Sequence, residues 1–137
     1  MPFRTSRRVE FVDTDTANIV HFSNFFRFME SAECEFLRHH GLSVVMTWQG
    51  QAIGFPRRAA SCEYLKPARF EDVLDIVVTV LKIGHSSVTY GHEFFLRGEL
   101  IARGQVSTVC CRVLDDRRIE PIAIPAEIRR VLEEAAG

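Results

Sequence analysis

Two aspartates, Asp13 and Asp15, stand in the stretch FVDTDTANIVHFSNFF, residues 11–26. An apolar lead-in precedes them, and a histidine and several phenylalanines follow at once. A carboxylate held against apolar side chains is a candidate nucleophile or general base, because burial and nearby dipoles tune its reactivity. If a helix begins just downstream, its N-terminus adds positive potential. Its free N–H groups can also hydrogen-bond a carbonyl oxygen that gains charge during reaction. On residue type alone the pair reads first as a polar strand end and turn, since aspartate favours turns and caps.

The neighbours carry similar alternatives. His21 is a possible acid/base partner or a packing histidine beside the turn. Ser23 is a possible nucleophile, but no GxSxG elbow accompanies it, and capping a helix suits it better. The same cap reading applies to Asn24. Asn18 is the residue type, after glycine, that best tolerates a left-handed backbone, so it marks a turn.

These side chains must be positioned by regular elements. The segment RRVEFVDTD alternates from Arg8 to Asp13 and predicts a strand with Val9 and Phe11 on one face. From Ser23 to His40 the period changes. Phe25, Phe28, Met29, Ala32, Phe36 and Leu37 fall on one helical face, with Arg27, Glu30, Glu33 and Arg38 largely elsewhere. This predicts one amphipathic helix of about five turns, closed by Gly41. Its glutamates, Glu30, Glu33 and Glu35, are expected to be solvated or paired with Arg27 and Arg38. The apolar stripe is a core face or the lining of an aromatic pocket.

Downstream, LSVVMTWQGQAIGFP reads as a short helix or loop that leads into a strand. Four long strands follow: RRAASCEYLKP, VLDIVVTVLKIG, SSVTYGHEFFLRG and ELIARGQVSTVCCRVLD, joined by short turns. Short turns imply antiparallel neighbours. DDRR is a polar turn, and IPAEIRRVLEEAAG closes the chain as a shorter helix with Pro125 near its start. The expected class is α+β, five antiparallel strands with one long helix packed on a face.

The bulk composition narrows the function. The 137 residues suit one domain spanning 1–137. A net charge of −1 gives no basic face for nucleic acid. No apolar run approaches the roughly 20 residues of a membrane span, and no signal peptide is recognisable, so the cytoplasm is the default expectation. Cys34, Cys62, Cys110 and Cys111 show no CxxC spacing and read as reduced, mostly buried thiols. The histidines also lack metal-ligand spacing, so no metal is expected. There is no GxGxxG and no P-loop. Arg57, Arg58, Lys66, Arg69, Lys82 and His85 supply scattered positive charge, either for a phosphate-bearing ligand or as strand-edge charges.

The stretch VEFVDTDTANIVHFSNFFRFMESAECEFLR resembles the signature of the hotdog-fold acyl-CoA thioesterases of the 4-hydroxybenzoyl-CoA thioesterase family. That pattern runs strand, Asp-x-Asp, turn, apolar pair, aromatic or His-bearing segment, long helix. CEYLKPARFEDVLDIVVTVLKIGHSSVTYGHEF adds an aromatic-x-x-Pro strand end and two long strands around a Gly/Ser-rich hairpin. The resemblance covers nearly the whole chain. It implies a hotdog fold, an antiparallel sheet wrapped around one long central helix, with a short C-terminal helix. It also implies a homodimer, often paired into a tetramer, with active sites at the dimer interface and coenzyme A present only as part of the substrate.

Carried over by position, the family's catalytic carboxylate falls on Asp15, acting as nucleophile or as general base towards water. The N–H that polarises the thioester carbonyl falls at about Phe22. Asn18, His21, Ser23, Asn24, Lys82 and His85 are the implied substrate contacts. Asn18 replaces the usual turn glycine, and only Lys82 and His85 remain of the basic cluster some relatives hold for the coenzyme A phosphates. The implied activity is hydrolysis of an acyl-CoA to acid and coenzyme A. A non-catalytic hotdog module that binds acyl-CoA or acyl carrier protein as sensor or scaffold is the alternative. A hydratase or dehydratase fits less well, because such enzymes carry their catalytic residue on the helix.

Overall fold

The computed structural model describes residues 2–137. Strand β1 (Phe3–Arg8) is followed by one 3-10 turn (Phe11–Asp13), a tight loop, and helix α1 (Asn24–His39). Strands β2 (Val45–Trp48), β3 (Gln51–Gly54), β4 (Arg57–Tyr64), β5 (Val73–Ile83), β6 (Ser87–Leu96), β7 (Glu99–Val109), β8 (Cys111–Val113) and β9 (Ile119–Pro121) come next, and helix α2 (Ala126–Ala136) ends the chain. One sheet has five strands in the order β1-β5-β6-β7-β4. A second has four, in the order β2-β3-β8-β9. All pairings between strands are antiparallel.

Helix α1 packs on one face of the five-stranded sheet, as its 3.6-residue stripe requires. Phe25, Phe28, Met29, Ala32, Phe36 and Leu37 are all buried. They meet the alternate residues of the central strands, among them Ile76, Val78, Tyr90, Phe94 and Val106. Phe25 meets Phe94 edge-on at 5.2 Å between ring centroids, and Phe36 meets Tyr90 at 5.6 Å. Such buried rings contribute about 2–3 kcal/mol each by area alone. Gly104 of β7 lets the helix approach this closely. A Cβ there would lie 2.6 Å from Met29 Sδ and 2.7 Å from the Ser61 carbonyl.

At its C-terminal end α1 closes on Gly41, whose φ of +76° allows a left-handed stop. Leu42 N–H then donates to the Leu37 carbonyl at 2.8 Å. The hotdog architecture and the closing helix match the sequence expectation. Among the described residues no helix is long and apolar enough to cross a membrane.

Four expectations are corrected. The strand predicted over Arg8–Asp13 lies earlier, at Phe3–Arg8. Val9 is buried, but Phe11 and Val12 are exposed on the 3-10 turn. Register with β5, Phe3 opposite Val78 through Arg8 opposite Val73, decides this strand, and its own apolar pattern does not. The ambiguous segment after Gly41 is a hairpin, β2 and β3, turning on Gln49 (φ 48°) and Gly50 (φ 79°). The long last strand divides at Cys110, whose N–H turns to the Ser86 carbonyl, so that β8 joins the second sheet. Finally, Glu33 is buried at 1 % exposure and pairs with Arg57 of β4 at 2.9 Å. Glu35 bonds the Thr5 hydroxyl.

Candidate active site

The loop between β1 and α1 is built from backbone bonds that fold it onto the β4–β5 connection. Val9 N–H donates to the Asp72 carbonyl at 2.8 Å, and Val20 N–H to the Ala68 carbonyl at 2.8 Å. Within the loop, Asp13 is buried and its carboxylate accepts the Glu10 N–H at 2.8 Å. Its carbonyl accepts both the His21 N–H at 2.9 Å and the Asn24 side-chain amide at 2.8 Å. Asp13 therefore orders the turn.

Asp15 opens the tip of the loop. Its N–H donates to the Ile19 carbonyl, and its carbonyl accepts the Asn18 N–H, both at 2.9 Å. This closes a tight turn with Asn18 at φ +64°, the left-handed conformation expected of it. One Asp15 carboxylate oxygen, Oδ1, accepts the Ala17 N–H at 2.8 Å. That bond fixes the side chain, and Oδ2 takes no bond among the described residues.

Two depressions meet at Asp15. One, of about 380 Å³, is apolar, with Ile19, Val20, Phe22, Phe25, Tyr64 and Ala68 in its wall. The other, of about 810 Å³, is polar, with Arg7, Asp13, His21, Ser23, Asn24 and Arg27 around Asp15. Arg7 lies over the Phe28 ring at 4.9 Å, so its cation is held near the site by the core. A further depression of about 590 Å³ lies on the sheet face turned away from α1, but its charges are partly spent on the Arg103–Glu63 ion pair at 2.8 Å.

At the start of α1, the N–H groups of His21, Ser23 and Asn24 are each taken by an acceptor within the loop. The Phe22 N–H is absent from this backbone network. The Phe22 ring is exposed and stacks on His21 at 4.7 Å, and the Phe22 carbonyl accepts the Tyr64 hydroxyl at 2.9 Å. His21 is committed elsewhere, its Nδ1 lying 2.8 Å from Ser23 Oγ. Ser23 stands at the N-cap position, but its side chain makes no capping bond, contrary to the cap expected of it. Asn24 is the first helical residue, and its amide ties the helix to Asp13 instead of capping it.

The fold thus brings Asp15, His21, Ser23 and Asn24 around one depression, with Phe22 in the wall of the adjoining one and Asn18 in the turn that presents Asp15. Lys82 and His85 lie on the β5–β6 hairpin and line neither depression. There the His85 carbonyl accepts the Ile124 N–H at 3.0 Å. Of the other scattered cations, Arg57 pairs with Glu33 and Lys66 with Glu99. Phe25 is buried in the core and also borders the apolar cleft. Sequence reasoning did not single out Tyr64 or Arg7. The aromatic-x-x-Pro spacing contained the signal for Tyr64. Arg7 had none, because the expected strand began one residue after it.

A second polar cluster lies between α1 and the sheet. Burial pushes the Glu33 carboxyl up to about 7, and the attraction of Arg57 offsets only part of this. Burial outweighs that attraction because the Arg57 side chain is itself a third exposed. Burial, with the Arg57 charge, pushes His92 down to about 4. Neither ring nitrogen of His92 has a partner among the described residues.

The chain is similar to known proteins over nearly its whole length. The family model of the thioesterase-like superfamily matches residues 9–132. The acyl-CoA thioester hydrolase YbgC of Escherichia coli is 29 % identical over 127 residues, 92 % of each chain. A 1,4-dihydroxy-2-naphthoyl-CoA hydrolase of Synechococcus is 28 % identical, covering 95 % of this chain and 88 % of that one. The crystal structure of a hypothetical protein from Aquifex aeolicus superposes with a TM-score of 0.84 at 28 % identity, over 96 % of this chain and 99 % of that one. A family model that spans the loop, α1, every strand from β2 to β9 and the first half of α2 leaves one assignment: the chain belongs to the thioesterase-like superfamily.

Proposed function

We propose that this protein hydrolyses an acyl-CoA thioester to the free acid and coenzyme A, with Asp15 as the reacting carboxylate. The observation that carries the reading is the position of Asp15. It lies at the junction of an apolar cleft and a polar depression, beside a helix start where the Phe22 N–H has no partner in the loop's backbone network. The names of the relatives support the thioester as substrate class.

In this mechanism the thioester carbonyl lies between Asp15 and the Phe22 N–H. Asp15 either attacks the carbonyl carbon, forming an acyl-enzyme anhydride that water cleaves, or takes a proton from the water that attacks. In both routes negative charge develops on the carbonyl oxygen. The Phe22 N–H and the α1 dipole stabilise it, an interaction commonly worth about 3–4 kcal/mol. Collapse of the tetrahedral intermediate expels the coenzyme A thiolate. A thiol with a pKa of about 8.5 leaves without a strong general acid. This agrees with a site whose one nearby imidazole, His21, is tied to Ser23.

We further propose that the working unit is a homodimer, or a tetramer of two such dimers. Strand β4 supports this. It is an edge of the five-stranded sheet, it leaves seven of its eight residues exposed, and its end residue Tyr64 borders the apolar cleft. An unpaired edge of this length is a ready template for a second strand.

Free-thiol release from short aliphatic, long aliphatic, benzoyl and phenylacetyl thioesters of coenzyme A tests the activity. Turnover of one class supports the hydrolase and names its acyl group. Tight binding with no product from any of them moves the assignment to a non-catalytic acyl-CoA-binding module.

A further inference from the structure

Tyr64 and Phe22 are 42 positions apart, yet the Tyr64 hydroxyl donates to the Phe22 carbonyl at 2.9 Å. Tyr64 ends the edge strand β4, and Phe22 belongs to the loop that presents Asp15. The tyrosine ring is fixed from behind. It meets Phe25 edge-on at 5.4 Å, and Phe25 meets both Phe28 and Phe94 in the core. Four residues after Tyr64, the Ala68 carbonyl takes the Val20 N–H at 2.8 Å. The end of β4 and the segment after it therefore grip the loop at two points on either side of His21.

This grip bears on one atom. The peptide plane that carries the Phe22 N–H is rigid; its own carbonyl, that of His21, accepts the Asn24 N–H at 2.9 Å, and its remaining freedom is set by the planes on either side. On one side the His21 N–H is held by the Asp13 carbonyl at 2.9 Å. On the other the Phe22 carbonyl is held by Tyr64. The plane that carries the Phe22 N–H has little freedom between them. Burial, with Cys62 beside it, raises the pKa of the Tyr64 hydroxyl, so it remains a donor across the working range.

We infer that Tyr64 is a positioning residue for the hydrolysis, holding the Phe22 carbonyl so that the Phe22 N–H stays aimed at the thioester oxygen. The inference rests on the functional reading above. It assigns Tyr64 no contact with the reacting atoms. Its contribution is preorganisation: a misaimed donor weakens stabilisation of the transition state and leaves binding of the ground state nearly untouched.

The test uses the full chain and its best acyl-CoA. Tyr64→Phe keeps the ring and its packing and removes only the hydroxyl. The expected result is a fall in kcat of about fivefold to tenfold with KM within about twofold, less than the hundredfold or more typical of losing the donor itself. Thermal unfolding should move by only a few degrees, as expected for one hydrogen bond. The Phe22 amide cross-peak in a 1H–15N spectrum should shift, a signature that simple loss of stability would not give. Unchanged kcat would overturn the inference, and so would a raised KM at constant kcat, which would make Tyr64 a substrate contact. Asp15→Asn in the same assay separates the two levels. If Asp15→Asn is inactive and Tyr64→Phe is normal, the positioning role fails and the hydrolase reading survives. If Asp15→Asn keeps full activity, Asp15 leaves the chemistry although the thioester is still hydrolysed, and the Tyr64→Phe result alone then decides the positioning role.

Discussion

The side-chain amide of Asn24, first residue of α1, donates to the main-chain carbonyl of Asp13 at 2.8 Å, eleven positions earlier. That carbonyl also holds the His21 N–H. One oxygen therefore ties the helix start to the turn that presents Asp15. Asn24→Ala is expected to cost about 1 kcal/mol of stability, the usual value of one hydrogen bond. It should also lower kcat severalfold, because loop and helix lose their common anchor. Denaturant unfolding and steady-state kinetics on the same preparation check both. Normal kcat in a destabilised variant would separate the anchor from catalysis.

His21 stacks on Phe22, and its Nδ1 is engaged by the Ser23 hydroxyl and N–H, so a structural role is expected of it. His21→Gln should keep kcat within about fivefold, well under the hundredfold or more typical of a lost general acid or base. The pH–rate profiles of wild type and variant should coincide between pH 6 and 8. A limb in that interval that disappears in His21→Gln would assign the imidazole a catalytic proton.

Asn18 holds φ +64° in the turn after Asp15. Asn18→Gly should be nearly neutral for stability, whereas Asn18→Ala should cost about 1 kcal/mol, because alanine pays the full left-handed strain. Chemical denaturation of the two variants reads this directly. Equal stability of the two would remove backbone strain as the reason for asparagine here.

The buried pair Glu33 and His92 should give opposing pH dependences. The Glu33 carboxyl is raised from 4.5 to about 7, so its contribution is full below 4.5 and is lost as pH rises through 7. His92 is lowered from 6.5 to about 4, so its contribution is full above 6.5 and is lost as pH falls through 4. Between pH 4.5 and 6.5 the two nearly cancel. Glu33→Gln should leave a stability that rises with pH across that window, and His92→Gln one that falls. Each swing should be on the order of 2–3 kcal/mol, from about 1.4 kcal/mol per pKa unit. Parallel profiles in the two variants would contradict the assignment.

Much of this was legible in the chain. The α1 stripe was readable because burial on a helix repeats every 3.6 residues, and Phe25, Phe28, Met29, Ala32, Phe36 and Leu37 all keep that period. Asn18 was readable because few residue types accept a positive φ. What stayed hidden depends on distant partners. The burial of Glu33 follows from Arg57, 24 residues away on another element. Strand β1 has one large apolar side chain, Phe3, and takes its identity from pairing with β5. The separation of roles between Asp13 and Asp15 appears only when the loop's hydrogen bonds are traced. The first is buried and bonded, while the second keeps one oxygen free beside an apolar wall.

That free oxygen is the centre of the account, and Asp15→Asn tests it most directly. The substitution keeps size and the Oδ1 acceptor for the Ala17 N–H, and removes the charge. The measurement is free-thiol release from the best acyl-CoA by wild type and variant, with acyl-CoA affinity determined alongside. A fall in kcat of more than about tenfold is expected, with binding retained, since a reacting carboxylate contributes at least that much. Turnover at the wild-type rate would contradict it and remove Asp15 from the chemistry.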